Sequence, residues 1–154
     1  MKIELKDSSL YINSVPLTLK ETAVSFYLEA LDTGYRSISL DFGVTILVFD
    51  QIGIRAWMKG NIVYELEIQL LQNIDTDLKS PSALYNGAIS LWGKPLSPPY
   101  LVEEIVSHNE LNVARDDDSF RFGLHILKSV PDRQPRYSLW CDDAFLRVCS
   151  IRFN

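Results

Sequence analysis

Between Ile62 and Leu70, apolar and polar positions alternate. Ile62, Tyr64, Leu66, Ile68 and Leu70 fall on one side, and Val63, Glu65, Glu67 and Gln69 on the other. A period of two sends successive side chains to opposite faces, which predicts a strand with one buried and one wet face. The preceding run, residues 44–50, is apolar on both sides and predicts a strand placed centrally in a sheet. Asp50-Gln51-Ile52-Gly53 turns the chain, and residues 54–59 run back. A three-residue loop, Lys59-Gly60-Asn61, would match the faces, with Met58 opposite Ile62, Ala56 opposite Tyr64 and Ile54 opposite Leu66. That register puts Arg55 opposite Glu65 on the wet face, beside Trp57, Val63 and Glu67. A two-residue loop would set Ala56 against Glu65 and mix the faces.

The rest of the chain follows the same kind of pattern. Residues 2–5 and 10–13 read as a hairpin around Asp7-Ser8-Ser9. From Leu19 to Leu31, Ala23, Val24, Tyr27, Leu28 and Leu31 share one helical face, opposite Thr22, Ser25, Glu29 and Asp32. Thr18 with Glu21 has capping-box spacing, and Gly34 stands where a helix would end. Residues 36–40 fit a strand. Residues 72–86, with Asp75, Asp77, Pro81 and Ser82, read as a connector. Beyond it come a strand at 88–92, a helix at about 99–107 behind Pro98-Pro99, a polar loop at 110–118, and strands at about 119–128, 136–141 and 145–153.

Two segments recur. Leu10 to Thr18 can be laid on Ile89 to Ser97, matching Pro16 with Pro95 and Leu17 with Leu96. Phe49 to Ala56 can be laid on Cys141 to Val148, matching Asp50 with Asp142 and Arg55 with Arg147. The expected architecture is α+β: two related halves, 1–77 and 78–154, each an antiparallel meander packed with one amphipathic helix. The alternative is two ordinary α+β segments that share punctuation.

Charge adds a direction. The net charge is −5, and residues 1–77 hold six Lys/Arg against eleven Asp/Glu, while 78–154 hold nine of each. An acidic balance argues against nucleic acid as partner, since phosphate binding needs a basic surface. It suits a basic protein partner, or serves only solubility. No apolar segment follows the N-terminal Lys, and the longest apolar run falls far short of a bilayer span, so a cytoplasmic protein away from membranes is expected. Cys141 and Cys149 are then expected as buried free thiols.

Candidate chemistry is thin. His108 and His125 have no metal-ligand spacing, and no nucleophile-elbow or phosphate-loop motif occurs. No catalytic residue, metal or cofactor is expected. Glu65 and Glu67 could mimic an acid/base pair, but a wet strand face beside Arg55 and Lys59 explains them more simply. Asp116-Asp117-Asp118 lacks a calcium loop's spacing and reads as a solvated loop or part of a binding surface. Trp57, Trp92 and Trp140 are core packing or interface anchors, with Trp57 expected on the wet face. A partner-binding surface would draw on Asp50, Arg55, Trp57, Glu65, Glu67, Asp116, Asp117 and Asp118.

Three segments, Leu10–Leu17 reading LYINSVPL, the helix from Thr18 to Leu31, and the turn Phe49-Asp50-Gln51-Ile52-Gly53-Ile54, carry a family resemblance. Over residues 1–71 the chain resembles a family of small bacterial domains of unassigned function often encoded beside secreted polymorphic toxins. Phe49 stands where that family often has Trp, and Phe145 where the second turn would have glycine. The resemblance implies an immunity protein, a monomer or homodimer that binds and blocks a cognate protein toxin, and not an enzyme. Two other classes stand beside it: a binding or scaffold module that self-associates through a strand edge, and a divergent hydrolase using Glu65 and Glu67.

Overall fold

A computed structural model of the chain describes residues 1–6, 9–72, 78–107, 113–115 (backbone only), 125–129, 136–142 and 144–154. Lys2–Lys6 (β1) and Ser9–Ile12 (β2) pair antiparallel, with Leu5 opposite Leu10. Val15–Leu17 (β3) folds back on β2, and Val24–Leu31 (α1) follows. Four antiparallel strands come next: Arg36–Ser39 (β4), Val44–Phe49 (β5), Ile54–Lys59 (β6) and Ile62–Gln69 (β7). Then come Ala88–Leu91 (β8), Lys94–Leu96 (β9), Val102–Ser107 (α2), Val113–Arg115 (β10), His125–Ser129 (β11), Tyr137–Cys141 (β12) and Val148–Phe153 (β13). The protein is α+β, with a five-stranded sheet ordered β3-β2-β1-β8-β9 and an eight-stranded one ordered β10-β11-β12-β13-β7-β6-β5-β4. No helix among the described residues is long and apolar enough to cross a membrane.

Both sheets cross the boundary at residues 77/78. β1 runs parallel to β8, with Leu5 opposite Leu91. β7 runs antiparallel to β13, with Glu67 opposite Arg152 and Leu66 opposite Phe153. One apolar cluster takes Ile3 and Leu10 from the small sheet, Tyr27 from α1, Ile105 from α2, and Phe49, Leu139 and Phe153 from the large sheet. Residues 1–77 and 78–154 are therefore chain segments that share two sheets and a core.

The first helix starts later than its capping signature predicts. Residues 18–22 form a turn, and Ala23, in extended conformation, bridges to Ile62. Lys20 donates its backbone N–H to Val63 O (2.8 Å) and Val24 donates to Asn61 O (2.9 Å). The start of β7 thus takes the Lys20 donor that a Thr18 cap could have served and the Val24 donor that a helix running from Thr18 would have bonded to its own backbone, and the Thr18 N–H donates to Thr22 Oγ1. At the other end Asp32 adopts the left-handed conformation and its N–H returns to Leu28 O. Of the predicted apolar stripe, Tyr27 and Leu31 are buried and Ala23, Val24 and Leu28 half-buried; Ala30 is buried as well.

The β6–β7 register departs from expectation. Lys59 faces Ile62 across a two-residue loop, with Gly60 at φ +61°. The register then slips at Trp57/Met58: Met58 faces Val63, Trp57 faces Glu65, Ala56 faces Leu66 and Arg55 faces Glu67. Tyr64 is the extra residue of a β-bulge, which reverses the faces on either side of it. A two-residue loop is thereby reconciled with matched faces, and Val63 turns into the core instead of the wet patch. The short strands β3, β9 and β10 were not anticipated. Residues 119–124, the Asp7-Ser8 turn tip and His108 lie outside the described residues.

The β5–β6 turn is a docking point. Gly53, at φ +67°, lies so close to the linker that an added Cβ would stand 2.3 Å from the Tyr85 nitrogen. Its carbonyl accepts from Gln69, and Asp50 O accepts from Ala83. Glycine here meets both a backbone requirement and a close approach.

Candidate binding face

The wet face expected of β6 and β7 is the outer face of the large sheet, and the β7–β13 junction doubles its width. One row of paired residues crosses it: Arg55 on β6, Glu67 on β7, Arg152 on β13 and Ser138 on β12. Trp57 stands beside Glu65 in the row on one side of it, and Trp140 beside Ser150 in the row on the other.

Glu67 is only 2% exposed, against the wet position expected for it. Its Oε2 accepts from Arg55 Nη2 at 2.8 Å, and Arg152 Nε approaches at 3.0 Å, close enough for an ion pair but off the direction of a hydrogen bond. Two cations around one buried carboxylate offset its lost hydration, which a lone buried charge would not survive. Arg152 also reaches Glu65 at 3.6 Å. Burial pushes the Glu65 carboxyl above its ordinary value; Arg152 pulls it back in part, while the like charge of Glu67 adds to the rise. The hydrolase reading needs these two carboxylates in a cleft. They lie on a sheet face, share Arg152, and line neither of the two cavities described below.

The arginines also order the tryptophans. Arg55 lies 5.1 Å and Arg152 5.4 Å from the Trp57 ring centre, and Arg152 stacks 4.2 Å from that of Trp140. Trp140 Nε1 donates to Ser138 Oγ at 3.2 Å. Both tryptophans are half-buried, so each presents part of a ring to solvent, held by a guanidinium that is itself fixed. Trp57, expected on the wet face, is thus half-buried, with Arg152 partly over its ring. Trp92 packs on Tyr137 instead, with ring centres 5.3 Å apart.

Of the candidate residues, Arg55, Trp57, Glu65 and Glu67 come together. Asp50 does not join them. It sits at the β5–β6 turn and accepts from Arg36 Nε at 2.7 Å and from the Ser82 N–H and hydroxyl at 2.9 and 3.0 Å. Arg36 above all holds its carboxyl below the ordinary value. Asp50 is thus a clamp between β4 and the linker. Asp116, Asp117 and Asp118 lie outside the described residues. Arg152 and Ser138 were missed because they reach the face only through the long-range β7–β13 pairing. Their one local signal is that Ser150 and Arg152 alternate with the apolar Ile151 and Phe153.

Two cavities lie elsewhere. One of about 640 Å³ is largely apolar and is lined by Leu70, Leu84, Tyr85, Ile89, Pro95 and Tyr100, among others; the second, about 310 Å³, has Lys128, Arg136 and Tyr137 in its wall. No group of three or more His, Cys, Asp or Glu among the described residues is placed to hold a metal ion. Cys141 and Cys149 are buried free thiols, and burial pushes the Cys141 thiol up to about 12. Comparisons with protein-family models, with curated proteins and with solved structures find no match.

Proposed function

We propose that this chain is a non-enzymatic binding protein that acts in the bacterial cytoplasm as the immunity partner of a protein toxin, and that the outer face of the large sheet is its binding surface. The observation that carries the reading is the pair of half-buried tryptophans, Trp57 and Trp140, flanking and braced by Arg55 and Arg152. Aromatic rings held by fixed arginines are the side chains that dominate protein interfaces, and their bracing lowers the entropy lost on binding. The acidic balance of residues 1–77 supports a basic partner, by steering encounter.

The finer fold reading, two related halves, belongs to the same proposal. Its support is an element order that occurs twice: a hairpin, a helix and four antiparallel strands. The helix starts support it too, since Ala23 bridges to Ile62 and Leu101 to Arg147. These bridges match β7 with β13. The alignment of Phe49–Ala56 on Cys141–Val148 instead matches the β5–β6 turn to the β12–β13 turn, one strand out of step. Asp142 caps its own turn, accepting from the Leu146 and Arg147 N–H groups at 2.7 and 3.2 Å.

The test is co-expression with the toxin encoded beside this gene. Protection of cells and a stoichiometric complex are expected, with Trp57→Ala and Trp140→Ala each weakening binding by about 2 kcal/mol. Absence of a complex with any neighbouring gene product sinks the reading. A second reading, a module that self-associates through a strand edge, is favoured by the outer edge of β4, with which no described strand pairs.

A further inference from the structure

Four strands end the two sheets: β3 and β9, β4 and β10. β3 and β9 carry Pro16 and Pro95, which withhold an amide and blunt those edges. β4, reading Arg36-Ser37-Ile38-Ser39, carries no proline, and no described strand pairs with its outer side. Leu40 donates its N–H to Val44 O at 2.8 Å. Hydrogen-bonded positions alternate along an antiparallel ladder, so Leu40, Ile38 and Arg36 bond towards β5, and the N–H and C=O of Ser37 and Ser39 point to the open edge. Both serines are exposed. Just past the strand, the turn at 41–43 holds Phe42 at φ +61° with 93% of its surface exposed, and Tyr35 at the other end is half exposed. Such a conformation is strained for a non-glycine residue, and the monomer leaves the ring in water.

We propose that β4 pairs antiparallel with β4 of a second copy of this chain, joining two eight-stranded sheets edge to edge. The inference rests on the strand-edge reading and gives it a surface and an occupant; it is independent of toxin binding. The segment is self-complementary about Ile38. With Ile38 facing Ile38, Ser37 of each chain faces Ser39 of the other, and these are the positions whose backbone groups point outward. The contact is isologous. No like charges face each other: Arg36, held by its own Asp50, meets Leu40, and Tyr35 meets Asp41. Phe42, at the hairpin tip, comes alongside Gly34 of the second copy, where an added Cβ would find nothing within 4 Å, so there is room for a ring.

The test is light scattering and sedimentation of the full chain over a concentration series. A dimer is expected. Ser37→Pro removes one outward N–H and no β4–β5 bond. Ile38→Lys sets two like charges face to face. Phe42→Asn keeps a residue that accepts the left-handed turn but deletes the ring. Each is expected to raise the dimer dissociation constant by about tenfold or more while circular dichroism stays unchanged. If Ser37→Pro fails to fold, Ile38→Lys carries the test. A wild-type monomer at every concentration overturns this inference and the strand-edge reading together. A dimer indifferent to both β4 changes overturns this inference alone.

Discussion

Tyr27 brings a phenol into the core, and among the described residues its hydroxyl has no hydrogen-bond partner. A buried hydroxyl without a partner forfeits its hydration for nothing. Tyr27→Phe is therefore expected to stabilise the fold by about 1 kcal/mol, read as a shift in urea midpoint at constant slope; an unchanged or lower midpoint counts against it. Glu67 is the opposite case. Glu67→Leu would leave Arg55 and Arg152 facing each other over an apolar floor, at a cost of roughly 2–4 kcal/mol. That figure is trimmed because Arg152 is partly solvated. Replacing Arg55 by Met in the same chain should recover part of the loss, because Arg152 keeps Glu65. If the double variant loses as much as the two single variants summed, the three charges do not act as a unit.

At the element scale, two carboxylates set opposite slopes with pH. Asp50 fastens β4 and the linker to the β5–β6 turn, and its folded value is lowered. Its contribution is therefore fully present above the ordinary value of 3.8 and is lost as pH falls through the folded value. Thermal midpoints should drop in that acid window, and Asp50→Asn should be less stable at neutral pH with a shallower acid decline. Glu65 on β7 is raised, so its neutral form is the one the fold favours. Stability tied to it is greatest below the ordinary value of 4.5 and is lost as pH rises through the folded value. Glu65→Gln should thus gain on the wild type as pH rises above 4.5, and a constant difference would refute the assignment.

At the scale of the molecule, the two inter-segment junctions decide cooperativity. β1 with β8 and β7 with β13 join residues 1–77 to 78–154 through both sheets, and one apolar cluster lies across them. Unfolding should be a single transition, with tryptophan fluorescence and far-ultraviolet circular dichroism superimposing. Residues 1–77 or 78–154 expressed alone would expose β7 or β13 as a long unpaired edge, and aggregation is the expected result. Two resolved transitions, or a well-folded single segment, would show independent units.

The local patterns determined the elements that neighbouring residues can specify by themselves. The opening hairpin, β5, β6 and β7 are legible because alternation and turn residues act over a few positions, and the Tyr27–Leu31 stripe because it follows the helical period. The candidate binding face was legible only as far as β6 and β7 reach, giving Arg55, Trp57, Glu65 and Glu67. Tertiary structure decided the remainder. It moved the start of α1 because β7 offered better partners for its donors, and it inserted a bulge at Tyr64 that a periodic reading cannot contain. It also buried Glu67, which looks wet in a strand and is dry once Arg152 arrives from a strand more than eighty residues away. Strand pairing at that distance is set by which edges the whole chain leaves open, and no local run of residues encodes it.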